Sequence, residues 1–288
     1  QFGGGDFFSE ASQGDPRRSP DAKNMIADSQ FFPVKRTGYK KMAAFSGKIN
    51  GIFGLRENRG GSILVHAGKN LYAYDPAEQE STLLYSGMAD APSSAFAMNS
   101  KLYLLDSKNF LCWDGNTAAP VSQDAYVPTT RIGRHATGGG QAFESPNLLT
   151  ARRRNSFTAD GASTVYHLDA QGLDAAQVSV LVDGTALAQG TDYQVNRTAG
   201  TIIFVKPPAD DAGSDSIEVT FSKTQKGALE KILGCTVCSV YGGKNNSCAF
   251  VSGNSKYPNT DWHSAPYDPT YFPEDSFTRI GADSSAIV

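Results

Sequence analysis

Two stretches of the chain share one plan. Residues 62–75 run Ser-Ile-Leu-Val-His-Ala, turn through Gly68, Lys69 and Asn70, and continue Leu-Tyr-Ala-Tyr to Asp75. Residues 95–106 run Ala-Phe-Ala-Met, turn through Asn99, Ser100 and Lys101, and continue Leu-Tyr-Leu-Leu to Asp106. Short apolar runs flanking a Gly or Asn turn predict β-hairpins, because those residues tolerate the positive φ of a tight turn. The recurrence predicts a repeated β unit of the kind found in propeller blades, with an ordinary meander or sandwich as the simpler alternative.

Composition agrees with many short strands. The 288 residues include 29 Gly, 14 Pro, 12 Tyr and 16 Phe, and no long helical period stands out. A net charge of −3 and a pI near 5.8 argue against a dedicated nucleic-acid binder. They leave room for a surface past which DNA slides without sticking. No apolar run has the length of a membrane span, so no membrane insertion is predicted. Four scattered cysteines are too few for a disulfide framework and fit a reducing cytoplasm.

Residues 1–38 read as an extended N-terminal arm, rich in Gly and Pro and anchored by Phe7, Phe8, Phe31 and Phe32. Strands then follow at even spacing from Lys41 to Trp113, enough for two four-stranded blades within 39–136. Residues 137–154 read as a connector ending in Arg152, Arg153 and Arg154, the only dense basic run. That triplet is either a contact for phosphate or an acidic partner, or a solvated linker. Residues 155–224 alternate clearly: Val178, Val180 and Val182 share one face, as do Ile217, Val219 and Phe221. With an Asp183-Gly184 turn, they predict a small inserted β-sandwich. Residues 225–288 read as a return to the propeller. The strands counted are too few to close a ring, so the expectation is a longer parent chain or neighbours that cover the open edges. The fold class expected is therefore all-β: a partial propeller interrupted by an inserted sandwich, with an extended arm.

Several word-like segments resemble the propeller-containing stabilisation, nozzle or tail-tube proteins of tailed bacteriophages. They are the opening Phe-Gly-Gly-Gly, Ser19-Pro-Asp-Ala-Lys-Asn-Met25 and Lys35-Arg-Thr-Gly-Tyr39; the connector Asn147-Leu-Leu-Thr150 with Arg153-Arg-Asn-Ser-Phe-Thr-Ala-Asp-Gly161; and the closing Asn259-Thr-Asp-Trp-His-Ser264 with Asp268-Pro-Thr-Tyr-Phe-Pro-Glu-Asp275. The resemblance implies a non-enzymatic virion protein made in the host cytoplasm. It implies self-assembly into a cyclic ring, a hexamer, against neighbouring tail, adaptor or portal proteins. DNA would pass non-specifically through the lumen.

No catalytic, cofactor or metal motif emerges. Cys235 and Cys238, with Cys248 and His263, raise a zinc reading, but residues three apart on a strand point to opposite faces, which favours buried thiols. His66, His135, His167 and His263 lie in separate predicted elements. Asp261, Asp268, Glu274 and Asp275 raise calcium and glycosidase readings but sit in Pro-rich loop, where turn chemistry is the simpler account. Two alternatives to the phage reading remain: a glycan-binding module using Trp113, Trp262 or Tyr271 as stacking platforms, and a polysaccharide hydrolase using Asp261 and Asp268. The interaction residues expected are the four arm phenylalanines, the three arginines and Trp262.

Overall fold

A computed structural model describes residues 3, 5, 14–19, 23–54, 61–210, 215–242, 247–282 and 286–287. The chain forms two compact units, Gln1–Ala44 and Phe45–Val288. The protein is all-β, with one six-residue α-helix and one three-residue 3-10 turn among the described residues.

In the first unit, Met25–Ala27 pairs antiparallel with Pro33–Lys35. Asp28 shapes the turn between them. Its Oδ1 accepts from the backbone N–H groups of Gln30 (2.9 Å) and Phe32 (2.8 Å), which is how an Asp side chain substitutes for a backbone turn partner.

Among the described residues, the second unit contains three four-stranded antiparallel meanders. The first comprises Ile49–Phe53, Ile63–Ala67, Asn70–Asp75 and Glu80–Ser86. The second comprises Ser94–Met98, Lys101–Leu105, Phe110–Trp113 and Ala118–Pro120. The third comprises Val237–Tyr241, Cys248–Ser252, Thr260–His263 and Phe277–Arg279. Both hairpins of the doubled motif form, by different turn chemistry. Gly68 takes φ 55° at the first central position, whereas Asn99 and Ser100 both take positive φ, 53° and 58°. Such turns match the twist of the flanking strands.

The second meander is covered on both faces. Leu102, Leu104, Leu111 and Trp113 share a core with Leu64 and Leu71 of the first meander. The alternate residues Phe96, Tyr103, Leu105 and Phe110 share another with Ala249, Val251 and Trp262 of the third. Period-two alternation with apolar residues on both faces gives the continuous run Leu-Tyr-Leu-Leu, the mark of a doubly buried strand. The first strands of the meanders also meet at their ends. Ser93 N–H donates to Asn50 O at 3.1 Å, and the Ser94 hydroxyl donates to Thr236 O at 2.8 Å.

Between the second and third meanders lies a module with its own core. A six-stranded sheet runs in the order Gln141–Ala142, Thr129–Arg134, Arg152–Phe157, Ile217–Ser222, Ser179–Val182, Thr185–Ala186. A three-stranded sheet holds Val165–His167, Thr201–Phe204 and Tyr193–Asn196. Val178, Val180, Ile217, Val219 and Phe221 face one core with Tyr166, Ile202 and Phe204. The Tyr166 ring meets Phe157 at 5.5 Å and Phe204 at 5.3 Å, edge to face in both cases, the geometry the ring quadrupole favours. Asp183 and Gly184 turn the hairpin with φ of 50° and 72°.

Three expectations differ from this architecture. Lys41–Phe45 forms no strand; the fourth strand of the second meander is instead Ala118–Pro120. It is short and ends in proline on a sheet edge, a position where the missing N–H costs no ladder bond. Residues 137–154 are not a strand-free connector. They contribute Gln141–Ala142 and the start of Arg152–Phe157, which runs parallel to Thr129–Arg134. Their long polar side chains disguised a strand whose alternate positions pack inward. Finally, Asp261 and Trp262 belong to the strand Thr260–His263 rather than to a loop.

Candidate interaction surfaces

The arm phenylalanines divide. Phe7 and Phe8 lie outside the described residues. Phe31 and Phe32 are 56% and 59% exposed, and Met25, Ile26 and Val34 on the same hairpin are exposed as well. An isolated two-stranded hairpin is marginal in water. This one presents apolar side chains to solvent, as interaction sites do.

The arginine triplet does not form a basic patch, because successive strand residues point to opposite faces. Arg152 is exposed. Arg154 Nε lies 3.6 Å from Glu218 Oε2 on the adjacent strand, both side chains being about two-fifths exposed, so the pair adds little stability. Arg153 points the other way and is buried. The reading of three arginines as one phosphate-facing surface is therefore corrected by their alternation.

Trp262 is also corrected. It is 2% exposed and packs in the core between the second and third meanders, with Tyr257 edge-on at 5.6 Å. The strand pairing of Trp262 with Val251 and Phe277 turns the indole inward. Trp113 is 1% exposed, and Tyr271 is buried with its hydroxyl donating to Ser145 O at 2.8 Å. None of the three side chains offers a ring face for sugar stacking.

The carboxylates near the end of the chain serve as local acceptors. Asp268 Oδ1 takes the Thr270 N–H (2.9 Å) and hydroxyl (2.6 Å). Glu274 Oε2 takes the Gln225 amide at 3.1 Å, and Asp275 Oδ2 takes the Ser145 hydroxyl at 2.8 Å. Asp261 sits on the outer side of the third meander, where burial pushes its carboxyl above the usual range against the opposing effect of His263. Cys235 precedes the strand Val237–Tyr241 and packs with Cys238 in one core, but the two thiols have different partners. Cys235 donates to Lys231 O at 3.2 Å, and Cys238 to the Ser94 hydroxyl at 3.4 Å. Burial pushes the Cys235 thiol up to about 12. Among the described residues, no group of three or more His, Cys, Asp or Glu is placed to hold a metal ion. His66 is fully buried between the Ser93 hydroxyl and Gly68 O.

Asn147, which the sequence alone marks only as part of a connector segment, organises the junction of module and meanders. Asn147 Nδ2 donates to Tyr126 O (2.9 Å) and Thr270 O (2.8 Å), and its Oδ1 accepts from Leu149 N–H (3.1 Å) and Phe272 N–H (3.0 Å). All of its polar capacity is used, as a buried amide requires. It draws Leu148 and Leu149 into the core shared by the second and third meanders. The signal available in the sequence was an Asn followed by two leucines within a stretch otherwise read as linker.

The two open ends of the meander stack are the remaining surfaces. On the outer side of the third meander Tyr241 is exposed, its ring 6.3 Å from Phe250, and Ile280 is exposed beside them. On the outer side of the first, Ile52 and Leu83 are exposed at the two ends of a row whose centre, Val65 and Tyr72, is covered, with the Phe45 ring 5.3 Å from Tyr72. Among the described residues no helix is long and apolar enough to cross a membrane. Neither a protein-family model nor a curated protein matches the chain.

Proposed function

We propose that this chain is a non-enzymatic structural protein of a tailed-phage virion. It forms part of a ring-shaped tail nozzle or tube, a hexameric assembly through which DNA passes. In this reading the three meanders are blades of a propeller, and the module is an inserted β-sandwich that faces neighbouring subunits. The exposed hairpin belongs to an arm that latches onto an adjoining tail, adaptor or portal protein.

The observation that supports the reading most is the serial stacking of the meanders. The second is buried on both faces by its two neighbours; the third keeps Tyr241 and Ile280 exposed on its outer side, and the first keeps Ile52 and Leu83 exposed at the margins of an outer side whose centre, Val65 and Tyr74, is buried with Phe45 against it. Such a stack repeats one interface from layer to layer, and repetition of an interface is how rings are built. The word-like segments of the resemblance also fall at structural junctions: Asn147–Thr150 carries the asparagine hub and Asp268–Asp275 packs beside it. The glycan-binding and hydrolase readings lack such support, since their aromatic platforms are buried and Asp268 is held in a turn.

The test is incorporation. A chain lacking residues 1–38 should fold but fail to enter tails, and the full chain should appear in electron micrographs as rings with a central channel or as tail density. Full-length protein that remains a monomer and is absent from purified particles would overturn the proposal.

A further inference from the structure

At the root of the inserted module lies a cavity of about 150 Å³, open to solvent on one side. After its first strands in the module the chain returns to the meanders at Leu148, re-enters the module through residues 151–153 and leaves it through residues 223–225; both of these crossings line this space, with Leu148 and Leu229 on the meander side. Arg153 is the ionised group that matters most there. It stands on the inward side of its strand and is only 9% exposed. Among the described residues its one hydrogen bond runs from Nη2 to Lys223 O, at a long 3.5 Å. Its Nε is buried and has no partner among them.

Among the described residues no carboxylate lines the cavity; the two that touch its lining residues bond to neutral partners rather than to Arg153. Glu274 holds the Gln225 amide at 3.1 Å. Asp174 accepts both the N–H and the hydroxyl of Thr224 at 2.8 Å. Lys223 adds a second cation to the rim, its Nζ donating to Gly172 O at 2.8 Å. A guanidinium does not lose its proton in a protein, and an uncompensated buried charge is costly. Water in the cavity satisfies donors but supplies no counter-charge.

We propose that this cavity is a binding site for a small oxyanion of the phosphate or carboxylate class, held by the unpaired guanidinium of Arg153 at the root of the module. The planar fork of Arg presents paired donors to either kind of anion. Because the entering and leaving strands both line the cavity, a bound anion bridges them and stiffens the attachment of the module. This site is independent of whether the chain belongs to a phage tail.

The full chain is titrated calorimetrically with inorganic phosphate and, separately, with acetate, at ionic strength matched by chloride. One saturable site for either anion is expected, and the arm that saturates identifies the class. Thermal unfolding should rise by roughly 2–4 °C once that anion reaches about five times its Kd. Arg153→Met should bind at least roughly tenfold more weakly, because a charge-assisted hydrogen bond is lost, and its unfolding should no longer respond to the anion. Wild-type protein with no saturable heat for either anion overturns the proposal, whatever the variant does. So does an Arg153→Met protein that keeps the full response.

Discussion

The inserted module and the meander stack solve the same problem in opposite ways. The module turns two sheets toward each other, and its core is drawn entirely from residues between Ala136 and Phe221. The meanders share their cores with neighbours, so each of the two clusters joins two sheets and the second meander contributes to both. One region keeps its core to itself; the other shares its cores between sheets. Apolar faces that close on themselves can be inserted into another fold without leaving a surface behind. Faces that close on neighbours leave the end sheets to find other cover: Phe45 packs on Tyr72 and Tyr74 of the first meander, while Tyr241 of the third stays exposed.

Core truncations test that contrast most directly. Phe157→Ala removes a fully buried ring that Tyr166 packs against and should cost about 3–5 kcal/mol. If the module is autonomous, calorimetry should show one transition lowered and another, belonging to the meanders, left in place. Leu104→Ala, in the middle of the doubly covered strand, should cost about 2–5 kcal/mol. Here hydrogen exchange should rise together in the first and second meanders while the module stays protected. A single transition that drops as a whole in both variants would show that the two regions unfold as one unit.

The smallest effect concerns the uncovered outer side of the third meander. Burial raises the carboxyl of Asp261 in the folded protein, so folding favours its protonated form. The associated stability is fully present below the usual aspartate range and is lost as pH rises through the raised folded value. Asp261→Asn should therefore stabilise the protein near pH 7, by about 0.5 kcal/mol or less, with the gain shrinking as pH falls below about 4. Denaturant midpoints at the two pH values measure it. A variant that is less stable at pH 7 would mean that the carboxylate has a favourable partner within the folded chain.

Strand-level features were legible wherever alternation and turn residues agreed. Ser94–Met98 and Phe110–Trp113 form as the apolar runs predicted, and the inward rows of the module, Val178 to Val182 and Ile217 to Phe221, are the buried rows of its core. Arg152–Phe157 was missed because its pattern is Arg-Arg-Arg-Asn-Ser-Phe. Its inward residues include Asn155, whose amide donates to the Thr130 hydroxyl and whose Oδ1 accepts the Asp169 N–H. A buried polar row satisfied by side-chain hydrogen bonds carries no hydrophobic period. Asn147 escaped for the same reason: its four partners lie up to 125 residues away.

By itself the sequence determined the all-β class, the repeated hairpin, the glycine- and asparagine-dependent turns, and the presence of a separate alternating region after the second meander. These are local properties, set by side-chain period and by which residues tolerate positive φ. Only the tertiary structure decided which faces are covered. It buried Trp113 and Trp262, split the arginine triplet between two sides of a sheet, and left Arg153 facing a cavity with no counter-ion among the described residues. The physical reason is that burial belongs to pairs of elements distant in sequence. Alternation states that a strand has two faces, but what lies against each face depends on how the sheets stack.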